Sequence, residues 1–318
     1  MIRSCACYVV ASILACLLSV AAGRAQSDPS LFDVVINLPQ DQPSISGSIG
    51  NASGSLTPTT QLNVADGGLV EGLFRAFAGS EVNISGGEMS YGFIASGESV
   101  INVSGGSVLP FFTAYSGVVV NVRGGTLGPY AFALSGSVIN VSGGSVGSRL
   151  YVDSGSVLNI SGGFVSGRLD AFSGSIINIR GGGLGGASLA REGSQFNISG
   201  GILGERFFAS TDSVVSVSGG AVGDFFSAGP GSEVNISGGS FGESFTAWDG
   251  SVVNLIGTEF SIDGVLLDLL PTGEPFEIVE RGGAVVSGIL SDGSPFDFVL
   301  NDTFVSGQDR FEVEPRSP

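Results

Sequence analysis

Histidine and lysine are absent from the 318-residue sequence, so all 12 basic residues are arginines. Without histidine the chain lacks the commonest general base, and without lysine it lacks the amine that forms Schiff bases. Ser-His-Asp triads and Gly-Lys phosphate loops are excluded for the same reason. The 29 acidic residues give a net charge of −17, which repels nucleic acid and anionic lipid and favours solubility or cation binding. We therefore expect no nucleic-acid partner.

Cysteine is confined to the N-terminal end, at Cys5, Cys7 and Cys16. Residues 1–25 combine an apolar stretch, Tyr8 to Ala22, with small residues before a cleavage point at Ala25, which is typical of a secretory signal peptide. A membrane anchor and a lipoprotein site at Cys16 are the alternatives, but the apolar stretch is short and continues past Cys16. The sequence predicts a secreted or cell-surface protein with no disulfide and no membrane insertion after signal removal.

Glycine is abundant, with 53 residues, and it recurs in register. Residues 140–144 read Asn-Val-Ser-Gly-Gly, and near-copies of this segment recur every 19 residues. The equivalents of Asn140 are Asn83, Asn102, Asn121, Asn159, Asn178, Asn197, Ser216, Asn235 and Asn254, with Asn63 one residue further back. Such a period is too short for a helix pair and is typical of a solenoid. The sequence predicts an all-β fold, a single-stranded parallel β-helix of about 10–11 coils with one coil per repeat.

Composition divides the rest of the chain. Residues 26–60 are rich in Pro, Ser and Gly and are predicted to form an N-terminal cap, because the first coil of a solenoid exposes unpaired strand edges. Residues 61–257 hold the β-helix repeats. From residue 258 the period is lost while strand-like alternation continues, so residues 258–318 are predicted to form a C-terminal β cap or tail.

Alternation within the repeat assigns side chains to the inside or the outside of each coil. The residues directly before and after the Asn, such as Ile139 and Val141, are apolar and predicted to lie in the core. So are the residues six, ten and twelve positions after the Asn. The Asn itself then points outward, where the amides of successive coils can hydrogen-bond as a ladder.

The outward positions nine, eleven and thirteen after the Asn are the least uniform part of the repeat. A row of exposed aromatic and arginine side chains there would favour contact with a sugar or a protein, although the aromatics could also support β structure alone. The candidate ligand-binding residues are Phe111, Tyr115, Tyr130, Phe132, Arg149, Tyr151, Arg168, Phe172, Arg191, Arg206, Phe208, Phe225 and Trp248.

An acidic column lies eight positions after the Asn, at Glu205, Asp224 and Glu243 in three successive coils. Like charges stacked one coil apart repel, so either water screens them or a divalent cation binds among them. The three residues are therefore candidate metal ligands, and Ca²⁺ is the only candidate cofactor. A close carboxyl pair also suits a retaining glycosidase, but the repeat shows no cleft.

The segment 135–147, Ser-Gly-Ser-Val-Ile-Asn-Val-Ser-Gly-Gly-Ser-Val-Gly, resembles the repeats of secreted bacterial β-solenoid proteins of the adhesin and autotransporter-passenger kind. The likeness covers about residues 61–260 and implies a location at the cell surface or in the matrix, with no catalytic chemistry. In broad shape it extends to pectate-lyase-type β-helices, whose catalytic Arg, Lys or clustered Asp cannot be matched here.

The first functional hypothesis is a non-catalytic extracellular structural or adhesive protein, because the spacing stays constant whereas enzymes usually interrupt a repeat with insertions that build a cleft. The alternative is a polysaccharide-binding or polysaccharide-cleaving β-helix that uses the aromatic and arginine face as a groove. An ice-binding or mineral-binding solenoid is less favoured, since no flat Thr array is present. The expected partners are an extracellular polysaccharide or another surface protein.

Overall fold

The computed structural model describes residues 29–50, 59–248, 250–267, 276–277, 283–299 and 310–315. The predicted signal peptide and its three cysteines lie outside these residues. Within the described ranges, helix is limited to a 3₁₀ turn at Pro29–Leu31, and no helix is long and apolar enough to cross a membrane. The described chain is built from strands.

The strands in chain order are β1 (Val34–Leu38), β2 (Ser44–Ile45), β3 (Ser48–Ile49), β4 (Thr60–Val64), β5 (Leu69–Val70), β6 (Arg75–Ala76), β7 (Ser80–Ile84), β8 (Glu88–Met89), β9 (Ile94–Ala95), β10 (Val100–Val103), β11 (Ser107–Val108), β12 (Thr113–Ala114), β13 (Val119–Val122), β14 (Thr126–Leu127), β15 (Ala131–Ala133), β16 (Val138–Val146), β17 (Leu150–Val152), β18 (Val157–Val165), β19 (Leu169–Ala171), β20 (Ile176–Ile179), β21 (Gly183–Leu184), β22 (Leu189–Ala190), β23 (Gln195–Leu203), β24 (Phe208–Ala209), β25 (Val214–Val222), β26 (Ser227–Ala228), β27 (Glu233–Phe241), β28 (Thr246–Ala247), β29 (Val252–Ile262), β30 (Val265–Leu266), β31 (Phe276–Glu277), β32 (Val285–Leu290), β33 (Pro295–Val299) and β34 (Arg310–Pro315).

Each repeat forms one coil with three faces, and we name a coil by its Asn. In the Asn102 coil the first face is β10, the second is β11 and the third is β12. Each strand pairs in parallel with its equivalent 19 residues further on, so Asn102 lies beside Asn121. The third-face strands β3 to β28 form one 11-stranded sheet, and the first two faces belong to a 23-stranded sheet. The predicted β-solenoid is confirmed.

The core fills the interior of the coils with stacked columns of apolar side chains. Ile139, Val141 and Val146 are at most 1% exposed, as are Leu150 and Val152 of the same coil. Their equivalents in neighbouring coils are buried in the same way. A large residue ten positions after the Asn lies beside a small residue twelve positions after it, as Phe112 lies beside Ala114. Large next to small in constant register fills a narrow interior without voids.

The predicted asparagine ladder is confirmed on the first face. The Nδ2 of Asn140 donates to the Oδ1 of Asn121 over 3.0 Å, and the Nδ2 of Asn159 donates to the Oδ1 of Asn140 over 2.8 Å. Every hydrogen bond between ladder asparagines in the described part of the chain has the same direction, because each amide donates to the coil before it. The ladder begins at Asn37 of β1, which accepts from Asn63 over 2.9 Å, so the segment predicted as the N-terminal cap contributes a coil that pairs with the repeats.

Beyond the repeats the topology changes. β29 pairs antiparallel with β32, and β32 pairs with β33 in a hairpin. The hairpin turn approaches the repeats through Asp292, whose Oδ2 accepts the backbone N–H of Gly239 over 2.7 Å. The hairpin is thus fixed to the Asn235 coil, and the third-face sheet ends at β28.

Candidate functional site

The outer side of the third face consists of three columns. Column nine, column eleven and column thirteen are the residues at those distances after the Asn, with Arg149, Tyr151 and Asp153 as members in the Asn140 coil. The residues between them, Leu150 and Val152, are fully buried. Because side chains alternate along a strand, the three columns point away from the core.

The structure places all 13 candidate ligand-binding residues of the sequence analysis in these columns. Phe111, Tyr115, Phe225 and Trp248 are exposed to between 39% and 51%. Arg149, Arg168 and Arg206 are also exposed, whereas Tyr130, Phe132, Tyr151, Phe172, Arg191 and Phe208 are half-buried. The row therefore lies on the surface of the rod, with its members partly covering one another.

Column nine has an unusual backbone conformation. Its φ is positive at Phe111, Tyr130, Arg149, Ala187, Arg206, Phe225 and Ser244, and at Leu73, the equivalent residue of the 20-residue Asn63 coil, with values from 58° to 69°. This left-handed region is favourable for glycine, and it costs other residues about 1–2 kcal/mol each. In the Asn159 coil the positive φ falls on Gly167 instead of Arg168.

Hydrogen bonding explains the conformation. In column eleven, a backbone N–H donates to the preceding coil, as Thr113 does to Phe93 over 2.9 Å. In column nine the direction is reversed: Tyr130 donates to the carbonyl of Ser148 in the following coil over 3.0 Å, and Phe225 donates to Glu243 over 2.8 Å. The left-handed turn rotates the peptide so that its N–H reaches the following coil.

The other two left-handed corners of the coil are mainly glycine, as at Gly144 and Gly155. A Cβ at Gly144 would lie 2.6 Å from the carbonyl carbon of Gly124, so that corner has no room for a side chain. Column nine points outward, and side chains fit there. The sequence places Phe, Tyr or Arg at this position in five coils in spite of the strain, and Leu, Ala or Ser in three, which favours a role for the larger side chains themselves.

The aromatic side chains stack along the rod. Phe132 and Tyr151 of column eleven have ring centroids 4.9 Å apart and planes 7° apart. In column nine, Phe111 stacks on Tyr130 at 5.3 Å, and the Arg149 guanidinium lies 5.4 Å from the Tyr130 centroid. Neighbours from the coils on either side therefore contact the ring of Tyr130. A ligand that approaches from outside meets mostly the edges of these rings.

A buried carboxylate holds two arginines in place. Asp170, in column eleven, accepts from Nε and Nη2 of Arg168 over 2.8 Å and from Nη2 of Arg191 over 2.9 Å. Its side chain is 3% exposed, while those of the two arginines are 43% and 41% exposed. The hydrogen bond to Asp170 raises the pKa of Arg168 above its ordinary value. Arg191 also lies 4.8 Å from the Phe172 centroid.

Sequence reasoning missed Asp170. A single acid in an outward column looks like a solvated surface residue, and its partner Arg191 comes from the next coil. The available signal was Arg168, which is two residues away and hence on the same side of the strand.

The acidic column remains exposed at a corner of the rod. Glu205, Asp224 and Glu243 occupy successive coils, and the Oδ1 of Asp224 accepts the backbone N–H of Glu243 over 2.8 Å. No group of three or more acidic side chains among the described residues is close enough to hold a metal ion. Calcium binding at this column stays a prediction.

A cavity of about 630 Å³ lies beside the last corner of the repeats. Its lining includes Asp224, Glu243 and the aromatic Phe241 and Phe245, together with Asp297 and Phe298 from the C-terminal hairpin. The sequence did not indicate this cavity, because the hairpin lies outside the repeat and its register cannot be read from the period.

Comparison of the chain with protein-family models and with curated proteins found no match.

Proposed function

We propose that this chain is a non-catalytic extracellular structural or adhesive protein whose third face is a contact surface. The observation that supports this proposal is column nine, where side chains that favour contact occupy a backbone conformation that favours glycine. The strained conformation recurs in eight coils, and in the Asn83 and Asn159 coils a glycine, Gly92 or Gly167, takes the left-handed position instead.

The coils support a role without catalysis. Their first-face pairing keeps one coil per 19 residues from β7 to β29, with local one-residue shifts at the Ser-Gly-Gly corners of three strand pairs. The strands follow one another without a long insertion that would build a cleft. The arginines of the face are engaged with rings or with Asp170, which suits a preformed contact surface. Secretion is proposed from the N-terminal sequence alone.

Polysaccharide binding is the second candidate, favoured by the number of aromatic residues in one row. Sugar rings usually pack on the faces of aromatic rings, and here Phe132 and Tyr151 turn one face of each ring toward the other. The geometry therefore favours contact through ring edges and arginine groups.

An adhesion assay tests the proposal. Beads that carry the full chain are passed through flow-cell lanes coated with neutral polysaccharide, acidic polysaccharide, or the same chain. The test variant combines Tyr151→Ala, Phe208→Ala and Trp248→Ala on the third face. The matched control combines Phe164→Ala and Ile202→Ala, whose side chains are 44% and 55% exposed on the second face.

We expect beads that carry the wild type or the control variant to be retained, and beads that carry the third-face variant to pass through. Retention in the polysaccharide lanes would favour the second candidate. No retention in any lane, or equal retention of all three proteins, would overturn the adhesive function. Circular dichroism checks that each variant keeps its β signature.

A further inference from the structure

The residues of the third face are complementary to themselves when two copies face each other. We propose that this face is the interface of a parallel homodimer, whose two-fold axis runs along the rod over column eleven. This inference rests on the proposed use of the face for contact, and it names the partner as a second copy of the chain.

Symmetry determines which residues meet. In an interface with a two-fold axis, residue i contacts residue j of the other copy and j contacts i. An axis parallel to the rod over column eleven places column nine of one copy opposite column thirteen of the other, within the same coil. Column eleven meets its own counterpart.

Charge is complementary in the middle of this arrangement. Arg149 in column nine faces Asp153 in column thirteen of the other copy, and the contact occurs twice. Among the described residues the ion pairs join Arg168 and Arg191 to Asp170, so neither Arg149 nor Asp153 forms one there. One coil further on, Arg168 faces Phe172, a cation–π contact.

Size is complementary in the three coils that follow. Ala187 faces Arg191, then Arg206 faces Ser210, and Phe225 faces Gly229, so a large side chain meets a small one each time. In the two coils before Arg149 the facing residues are apolar, because Phe111 meets Tyr115 and Tyr130 meets Leu134. In each of seven successive coils the facing residues are thus complementary in charge, size or polarity, or form a cation–π contact.

Column eleven supplies apolar contacts on the axis, where Phe132, Tyr151, Leu189 and Phe208 each meet their own counterpart. Thr113 and Ser227 add small polar side chains at the two ends of the seven coils. Asp170 is the charged exception. Its carboxylate is 3% exposed and bonded to Arg168 and Arg191, so its charge is balanced within each copy.

The contact area is sufficient for a weak dimer. Seven coils, with five residues of each across the face, cover about 560 Å² per copy from the strand spacing and the rise per residue. The total of about 1,100 Å² slightly exceeds the roughly 1,000 Å² expected of a specific interface. The dimer is therefore expected to depend on concentration.

An antiparallel dimer is less favourable. A two-fold axis perpendicular to the rod at the Asn159 coil would place Arg168 against Arg168 of the other copy. Moving that axis by half a coil would place Arg149 against Arg206. The parallel arrangement has no such contact between cations.

Cross-linking at single cysteines tests the arrangement. In the full chain with Cys5, Cys7 and Cys16 replaced by serine, Thr113→Cys and Ser227→Cys each place one thiol in column eleven, six coils apart. The control, Ser145→Cys, places it on the second face. The probe is a bismaleimide whose reach matches the spacing of about 10 Å between packed sheets.

The parallel dimer predicts that Thr113→Cys and Ser227→Cys each cross-link alone into a species of doubled mass, at least tenfold more than Ser145→Cys. Cross-linking only in a mixture of the two would show an antiparallel dimer and overturn the proposal. Equal yields in all three variants, or a monomer mass by light scattering at every concentration, would also overturn it. The polysaccharide lanes of the adhesion assay still test the proposed function if the dimer fails.

A charge exchange provides the second test. Asp153→Arg is expected to weaken the dimer at least tenfold, and adding Arg149→Asp to the same chain is expected to restore it. Failure of the double variant to recover, with its circular dichroism unchanged, would remove the Arg149 and Asp153 contact from the interface.

Discussion

Arg206 donates its backbone N–H to the carbonyl oxygen of Asp224, one coil further along the rod, over 2.7 Å. To do so it adopts a φ of 58°, a conformation that glycine would adopt without strain. The chain retains an arginine there, and its guanidinium lies 5.9 Å from the Phe225 ring. The free-energy cost of the left-handed backbone should therefore be measurable at a column-nine residue whose side chain makes few contacts.

Ala187→Gly is expected to raise the free energy of unfolding by up to about 1 kcal/mol. Relief of about 1–2 kcal/mol of left-handed strain exceeds the extra entropy of about 0.5–1 kcal/mol that glycine loses on folding. Ala187 has a φ of 59° and an exposed methyl group, so little contact is lost. Urea unfolding followed by circular dichroism measures the change.

Gly201→Ala is the opposite control. Its φ is 75°, and a Cβ would lie 2.8 Å from the carbonyl carbon of Gly181. This variant should be destabilised. An Ala187→Gly variant that is clearly less stable than the wild type would show that column nine is not strained.

The core and the ladder could be predicted from the sequence because both follow from two periods, alternation within a strand and 19 residues between coils. Ile139, Asn140 and Val141 suffice to assign inside and outside. Column nine could not be predicted, since Phe225 or Arg206 gives no sign of a left-handed backbone. The position of the C-terminal hairpin could not be predicted either, because Asp292 contacts Gly239 across 53 residues and no repeat fixes the register between them.

The asparagine ladder is interrupted at Ser216, and its neighbours compensate. Gln195 donates to the Oδ1 of Asn197 over 3.2 Å, and the Nδ2 of Asn235 donates to Glu233 over 2.8 Å. Ser216→Asn would join the two halves of the ladder. We therefore expect the free energy of unfolding to rise by about 1 kcal/mol, which is the net contribution of a typical hydrogen bond. Thermal unfolding of the variant and the wild type measures the change.

Asn140→Ala is the matched disruption, because it removes the rungs to Asn121 and Asn159. Leaving polar atoms of buried Asn121 and half-buried Asn159 without partners should cost about 1–3 kcal/mol. Equal stability of the wild type and Asn140→Ala would show that the ladder contributes nothing to the fold.

Asp170→Ala should destabilise the chain more than Arg168→Ala does. Loss of the carboxylate removes the hydrogen bonds of both arginines, and we expect a cost of about 1.5–3 kcal/mol. Loss of Arg168 leaves Asp170 bonded to Arg191 over 2.9 Å, so the cost should be about half as large. Chemical denaturation of both variants, with Asp170→Asn as the isosteric control, tests this order.

If water alone screens the acidic column, millimolar Ca²⁺ will leave the melting temperature unchanged. A ligand that binds only the folded state raises the melting temperature, but Asp224 uses one carboxylate oxygen on the backbone of Glu243. A rise on adding Ca²⁺ that disappears in Asp224→Asn would establish the acidic column as a metal site. Mg²⁺ at the same concentration controls for ionic strength.

The attachment of the C-terminal hairpin should depend on acid pH through Asp292. Burial raises the pKa of this carboxyl, but the N–H groups of Ser294 and Gly239 together lower it more, so it lies below the ordinary value of 3.8. A lowered folded-state pKa contributes stability that is fully present above the unfolded-state pKa and is lost as the pH falls through the folded value. The protection of the β32 and β33 amides, measured relative to the intrinsic exchange rate at each pH, should therefore fall in the wild type below about pH 4.

Asp292→Asn should exchange faster than the wild type at neutral pH and show a smaller change in acid, because its side chain does not titrate. Asp297→Asn changes an exposed carboxyl of the same hairpin and controls for the loss of one negative charge. If Asp292→Asn and Asp297→Asn gave the same profile as the wild type, the contact between Asp292 and Gly239 would not hold the hairpin on the repeats. A loss of protection confined to Asp292→Asn would show that one carboxylate, bonded to a glycine corner, fixes the non-repeating end of the chain to the rod.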